Sequence, residues 1–473
     1  MTESDDPKSR RSFLKTVAAT AAAGPAVAAA PLGGNVFLLG RAEGAEPAPR
    51  AAGPNDRVRI ATIGTGIIGF IDTDTALKVP GVELVAAVDL YEGRRTHVKE
   101  VYGGRIDTYL DYREVLARKD VDAVLVCVPD HWHAAISKDA MKAGKAVYCE
   151  KPMVRTVDEG PGVIAAQAET KAVFQVGSQY ASSMIYDKVR DLIAAGSIGK
   201  INAVEARYNR NSAIGAWQYT LPTDASPETV DWDRFLGSAP KRPFDATRFF
   251  RWRNYWDYGT AVAGDLFVHL LTGIHHATGS VGPNRVSAMG GQRYWKDGRD
   301  VYDVIMGLLD YPETDGKPGF TLSLQTNFED GGGGDTYFRF VGSDGVISVS
   351  FTELTLKRTG IVEPTYDQVI KGYNSARTFS AAQQKALAAA YEGKLAKAPA
   401  PSKEPETFKV PKGYDERYEH FVRFFRSVRE GTPVYEDAVF GYRAAAPALL
   451  CNESYRKQGA VIGWDPVGMK VMS

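Results

Sequence analysis

Three cysteines, Cys127, Cys149 and Cys451, are all that a chain of 473 residues contains, too few for a disulfide framework. Cys127 and Cys149 fall inside apolar runs, where a thiol behaves as a small hydrophobe; one pairing among the three stays open. Net charge is also missing. The 57 basic residues balance 57 acidic ones, so no field attracts nucleic acid or an anionic membrane surface, and a small neutral ligand fits better. No apolar run is strong enough to span a bilayer: the alanine-rich stretch from Thr16 to about Ala30 is weakly apolar and interrupted by Gly24 and Pro25, with Pro31 just beyond. No stable membrane insertion is expected. There is no internal repeat. His269, His275 and His276 lack an accompanying cysteine or Glu-x-x-His pattern, and adjacent histidines point to different faces, so no metal site is expected.

What is present bounds the chain as a globular protein of two or three domains, with 44% hydrophobic and 24% charged residues. Its amino terminus carries "SRRSFLK", Ser9 to Lys15, ahead of the alanine-rich stretch. This resembles a twin-arginine signal, an address rather than an anchor. It implies a passing encounter with the twin-arginine translocation machinery and a periplasmic or extracellular destination. That route moves folded proteins, so it suits one that loads a cofactor first. "AVAAAP" and "GAEPA" both offer small residues for cleavage. Residues 1–50 read as signal and linker, and structure is expected to begin near Asn55.

From there strands and helices alternate. "RVRIATIG", "VELVAAV", "VDAVLVCV", "KAVYCEKPM" and "KAVFQVGSQ" read as buried strands between helical segments such as "AAISKDAMKAG". The alternation implies a parallel sheet covered on both faces, over residues 55–177. "GTGIIG", comprising Gly64, Gly66, Ile67, Ile68 and Gly69, follows the first strand and opens a helix. Its glycines permit a tight turn, close approach of a pyrophosphate, and helix packing on strand. The phosphate then meets free N–H groups at the helix start. Asp89 ends the next strand about 20 residues on, placed to accept hydrogen bonds from the adenosine ribose and to repel a 2′-phosphate. NAD is therefore the expected cofactor; Arg94 and Arg95 keep NADP open.

Residues 178–473 change character. "INAVEARYNR", "VYDVIMGLLDY", "GFTLSLQTNF", "TYFRFVGSDGVISVS" and "LTLKRTG" read as strands of a broad, mostly antiparallel open sheet in an α+β domain. The stretch from about Pro364 to Lys412, rich in Ala, Lys and Pro, reads as partly loose. The chain as a whole is α/β, a Rossmann dinucleotide-binding domain followed by this second domain, whose open sheet is expected to make a homodimer or homotetramer.

"VPDHWHA", "AMKAGKAVYCEKPM" and "GDLFVHLLTG", together with "VDWDRFLGSAPKRPF" and "DYG", resemble the Gfo/Idh/MocA oxidoreductases from about Arg57 to the carboxyl end. The resemblance implies that Pro129 and His133 lie against the nicotinamide side of the cofactor, with Asp130 where the family has asparagine. It implies that Lys151 of Glu150-Lys151-Pro152 touches both cofactor and substrate, and that Asp265 and His269 orient and deprotonate substrate. Two departures stand out: Leu-Phe-Val between Asp265 and His269 where a glycine is usual, and Thr272 where a second acid is common.

Chemically, oxidising an alcohol needs a hydride acceptor and a base, and an imidazole such as that of His269 titrates near neutral pH. Residues four apart on a helix share a face, so Asp265 is expected beside His269, fixing its tautomer, or beside it on one substrate. Lys151 would stabilise a developing alkoxide, and a cis bond before Pro152 would aim it into the cleft. Tyr180, Tyr208, Asn209, Arg253 and Trp256 lie where the second domain could meet a sugar. The expected activity is a hydride transfer between a secondary alcohol of a sugar, polyol or related molecule and a tightly held nicotinamide. Two alternatives are redox-neutral glycoside cleavage through transient sugar oxidation, and a non-catalytic sugar sensor.

Overall fold

A computed structural model describes residues 27–41 and 57–472, apart from 315, 318, 361 and 396–402. The twin-arginine stretch and the linker from Gly44 to Pro54 lie outside the described residues. Structure nevertheless begins well before Asn55. β1 (Val27–Gly33) and β2 (Val36–Arg41) form an antiparallel hairpin inside the segment read as signal and linker. The reading failed because alanine-rich sequence has little strand propensity; the hairpin is held by its neighbours. Leu39 is buried in the main core, and Phe37 stacks on Phe408 with ring centroids 5.0 Å apart.

Six parallel strands build the first domain: β3 (Val58–Ile63), β4 (Val82–Val88), β5 (Asp107–Tyr109), β6 (Ala123–Val126), β7 (Ala146–Cys149) and β8 (Phe174–Val176). Their order is β5-β4-β3-β6-β7-β8, so the chain reverses direction across the sheet between β3 and β6. That switch point opens the crevice at the strands' carboxyl ends where ligands of such sheets bind. Helix α1 (Ile67–Leu77) leaves the glycine turn after β3, and α2 (Asp130–Lys142) follows β6.

The second domain centres on a twelve-stranded sheet of order β1-β2-β16-β15-β14-β13-β9-β12-β11-β10-β17-β18. Its further strands are β9 (Ile201–Tyr208), β10 (Arg285–Gly291), β11 (Val304–Tyr311), β12 (Phe320–Asn327), β13 (Thr336–Gly342), β14 (Gly345–Val349), β15 (Glu353–Arg358), β16 (Glu406–Lys409), β17 (Ile462–Asp465) and β18 (Lys470–Val471). Only β2–β16 and β9–β12 pair in parallel, so the sheet is mostly antiparallel. Its strands alternate buried and accessible residues, as in β11, where Ile305 and Leu309 are buried while Met306 and Leu308 are exposed. One face is thus packed and the other open. Helix α3 (Val268–Thr278), buried nearly all round, lies against the packed face.

Two features depart from the sequence reading. Helix α4 (Glu416–Glu430) belongs by sequence to the second domain but packs on the first: Phe421, Phe424 and Phe425 share a core with Val58, Ile60 and Tyr148. Its apolar residues recur at helical spacing, so the face was legible but its target was not. The stretch from Pro364 to Lys412 is also more ordered than composition implied. Thr365 with Gln368 and Ser380 with Gln383 form capping boxes on two short helices, Tyr366–Ile370 and Ala381–Tyr391. A last helix, α5 (Ala438–Arg456), packs between α3 and β10.

Candidate active site

A cavity of about 360 Å³ runs from the glycine turn and Asp89 to Lys151, Asp265 and His269. At the first end the turn is built for a phosphate. Gly64 has φ of +90°, and a Cβ there would sit 2.6 Å from the Cys127 carbonyl oxygen. A Cβ on Gly69 would sit 2.0 Å from the Gly64 oxygen, so only glycine lets α1 close on the strand. A Cβ on Gly66 would meet the Arg94 guanidinium at 3.7 Å, and no acidic residue occupies the first turn of α1. Ile67 and Ile68 line the same wall. Asp89 accepts from the Thr65 N–H at 2.8 Å and the Tyr91 N–H at 2.9 Å, with Arg94 3.6 Å away. Arg94 lies over the Phe250 ring, while Arg95 turns to the Asp89 carbonyl. These residues fit a dinucleotide whose ribose meets Asp89.

A strap covers this end. Tyr91 bridges to Val230, its hydroxyl donates to Asp224 at 2.5 Å, and Trp132 Nε1 donates to the Phe235 carbonyl at 3.0 Å. Trp232, Phe235, Phe249, Phe250 and Tyr258 form a separate aromatic core with Tyr91. The aromatic-rich stretch therefore roofs the nucleotide end rather than only meeting substrate.

At the other end Lys151 follows β7, with a cis bond before Pro152. Its Nζ donates to the Asp265 carbonyl at 2.9 Å and to Asp265 Oδ1 at 3.0 Å. Arg253 Nε donates to the same oxygen at 3.2 Å. Burial raises the Asp265 carboxyl, but Lys151 and Arg253 outweigh it and hold the group well below the usual carboxylate range. Asp265 is thus committed to two cations and not to His269, whose Nδ1 is buried without a hydrogen-bond partner among the described residues. The expected Asp265–His269 contact fails because residues Ala263–Phe267 form a π turn, which adds a residue to the turn and rotates Asp265 off the face of His269. Burial, then the charge of Lys151, pushes His269 well below its ordinary value, so the ring is neutral. Tyr180 and Tyr208 flank it at 5.6 and 6.2 Å.

Glu150 and His133, both expected at the cofactor, line the cavity, and each is also held by its own polar neighbours. Burial and the neighbouring Asp72 lift Glu150 to about 8. Its carboxyl belongs to a buried group with Asp72 and Arg417, Arg417 donating to Asp72 at 2.7 Å, rather than to the Lys151 ammonium. His133 lines the cavity beside Pro129, but its ring nitrogens face the Pro152 and Val128 carbonyl oxygens at 2.6 and 2.8 Å, so it ties α2 to the Lys151 loop. Asn209 ties β9 to β12 and Trp256 faces away, under Arg456. Thr272, where a second acid is common, is buried, and its hydroxyl lies beside the buried Glu436 carboxyl. His275 bonds Tyr311, and His276 bonds Tyr435 and Asp187. Sequence reasoning missed Asp72, Arg210 and Arg417, which also shape the site; a charged residue in the buried face of α1 was the one available signal.

The comparisons with known proteins agree with this geometry. Residues 58–178 match the model described as oxidoreductase family, NAD-binding Rossmann fold, and residues 189–289 match its C-terminal alpha/beta domain. The inositol 2-dehydrogenase of Salmonella typhimurium is 31% identical over 176 residues, 36% of this chain and 50% of that protein. A glycosyl hydrolase family 109 protein of Shewanella baltica is 30% identical over 217 residues, 42% of this chain and 45% of that protein. The chain thus spans about half the length of the curated relatives it matches. Among solved structures, levoglucosan dehydrogenase in complex with NADH and levoglucosan has a TM-score of 0.60 at 17% identity, covering 86% of this chain and 99% of that one. An inositol dehydrogenase homolog of Azotobacter vinelandii, complexed with NADH and myo-inositol, gives 0.60 at 20%, covering 86% and 98%. The fold and both matches make residues 58–178 and 189–289 similar to the Gfo/Idh/MocA oxidoreductases.

Proposed function

We propose that the protein transfers a hydride between a secondary alcohol of a sugar, polyol or related small molecule and an NAD that stays bound through turnover. The observation that carries this is the continuous cavity with the glycine turn and Asp89 at one end and Lys151, Asp265 and His269 at the other. NAD, when bound, supplies the hydride acceptor. His269, neutral in its buried position, takes the hydroxyl proton. Lys151 donates to the same oxygen and stabilises the alkoxide as it develops. Asp265 holds Lys151 and Arg253 at fixed positions, and its charge keeps two buried cations in place. The inositol 2-dehydrogenase relatives support a polyol or sugar as the substrate class.

The likeness to a glycosyl hydrolase family 109 protein favours one second reading. In it the same residues oxidise a sugar carbon transiently, the aglycone is eliminated and the hydride returns, with no net reduced nucleotide. The strap over the nucleotide end suits either reading, because both require retention of NAD. Arg10 and Arg11 support export by the twin-arginine route with NAD already loaded. The open sheet face, with Met289, Met306 and Leu308 exposed, supports a homodimer or homotetramer.

Incubating purified, NAD-loaded protein with a panel of sugars, polyols and glycosides tests this, with nicotinamide absorbance and products followed together. Reduced nucleotide appearing with a ketose or lactone is the expected result; aglycone release without net absorbance change selects the second reading. Lys151→Met is expected to lower turnover by about a hundredfold or more. Neither signal in the wild-type protein across the panel would leave a sugar-binding sensor.

A further inference from the structure

Asp130 opens α2 at the position where the resembling family carries asparagine, and the chemistry above makes no use of its charge. It is 2% exposed yet lines the cavity at its reacting end. Its Oδ2 accepts from Thr260 Oγ1 at 2.7 Å. Thr260 is itself fixed. Its carbonyl accepts from Asn452 Nδ2 at 2.8 Å, and a Cβ on Gly264 would lie 2.2 Å from the Thr260 Cβ, so the threonine is packed directly against the π turn that carries Asp265.

The charged groups facing Asp130 come from three elements: Arg253, Lys151 and Asp265. On its own helix, His131 Nε2 meets the Phe235 carbonyl, and the His133 ring nitrogens face the Val128 and Pro152 carbonyl oxygens, to one of which a neutral ring donates; burial lowers both rings. Burial raises Asp130, Arg253 and Lys151 pull it down, and Asp265 adds to the rise, leaving the carboxyl at about 7. An asparagine there would stay neutral at every pH. An aspartate gives this end of the cleft a charge that a neighbour can switch.

When NAD is bound, that neighbour would be the nicotinamide ring, which is cationic when oxidised and neutral when reduced. We propose that Asp130 is a redox-linked proton site: ionised beside the oxidised ring, it binds one proton when the ring is reduced and releases it on reoxidation. The inference rests on the reading that the reacting ring lies beside Lys151. The hydride, which carries both electrons, passes from the alcohol carbon to the ring, the hydroxyl proton passes to His269 and on to solvent, and one proton from solvent converts the Asp130 carboxylate to the acid. Loss of the ring's positive charge and loss of the aspartate's negative charge offset each other, so the buried end of the cleft keeps a constant net charge. An opposite charge within a few ångströms changes a carboxylate's proton affinity by roughly ten- to thousandfold, enough for this coupling.

The test uses protein saturated with NAD and equilibrated with a redox couple of known potential between about pH 5 and 9, reading the ratio of reduced to oxidised bound nucleotide. Reduction of the nucleotide alone binds one proton, so the equilibrium constant changes tenfold per pH unit, about 30 mV for a two-electron couple. With Asp130 coupled, it changes hundredfold per unit in a window below about pH 7, and Asp130→Asn returns it to tenfold throughout. Thr260→Val removes a hydrogen bond that favours the carboxylate and moves the window to higher pH. A tenfold dependence across the whole range in the wild-type protein overturns the proposal, and so does a steep window that persists in Asp130→Asn. Whether sugars are oxidised does not enter the measurement, so the substrate reading and this inference fail separately.

Discussion

Replacing Arg417 with leucine asks what holds two buried carboxyl groups under the cofactor site. Asp72 is fully buried on α1 and its Oδ1 accepts from Arg417 at 2.7 Å; Glu150 lies against the same pair and is lifted to about 8. Burial raises Asp72 from its ordinary 3.8, and Arg417 opposes that rise. Without the guanidinium an uncompensated charge would cost about 3–5 kcal/mol, so the carboxyl protonates instead. Protonating it costs 1.36 kcal/mol per pH unit above 3.8, at most about 4 kcal/mol at pH 7 and about 2 kcal/mol at pH 5.5. The sign follows from proton counting. The variant's folded state keeps a proton that the unfolded chain releases, so the deficit is small near pH 4 and grows as pH rises. Urea unfolding of Arg417→Leu at these two pH values, followed by tryptophan fluorescence, should show the larger deficit at pH 7. Adding Asp72→Asn should recover most of it, because both charged partners are then gone. An equal deficit at both pH values, or no recovery in the double variant, would refute the reasoning.

Other consequences are as direct. His269→Ala should lower turnover by about 10²–10⁴-fold; because burial keeps the ring neutral far below its usual range, the wild-type rate should not fall near pH 6.5 through His269, and a His269-dependent acid limb there would contradict its assigned state. Asp89→Ala should weaken NAD binding by about ten- to hundredfold, the worth of a hydrogen bond to a charged group, measured by nucleotide retention on gel filtration. Leu39→Ala should destabilise the folded protein by about 2–5 kcal/mol, since its side chain is 1% exposed; unchanged unfolding would show that the hairpin of β1 and β2 is dispensable.

Much of the candidate site was legible in the sequence. Gly64, Gly69 and Asp89 stand where strand, turn and next strand put them, because local backbone geometry alone demands glycine where a Cβ would collide with the adjacent strand. Lys151 at the end of β7 was equally readable, since a strand's carboxyl end in a parallel sheet faces the crevice. The pairing of Asp265 was not: helical spacing put it beside His269, and the π turn with two approaching cations took it elsewhere. Asp72 and Arg417 are 345 residues apart in the chain, and no local pattern links them.

The sequence by itself therefore determined the two-domain α/β architecture, the glycine turn and the strand-end residues that line the cavity, because periodicity, glycine sterics and strand-end positions act over a few residues. Only the tertiary structure decided that Asp265 serves Lys151 and Arg253, that α4 closes the first domain, that Val27–Arg41 adds a hairpin to the second, and that Asp130 sits buried among charges. Those outcomes depend on which distant groups share a low-dielectric space, where burial strengthens every electrostatic interaction.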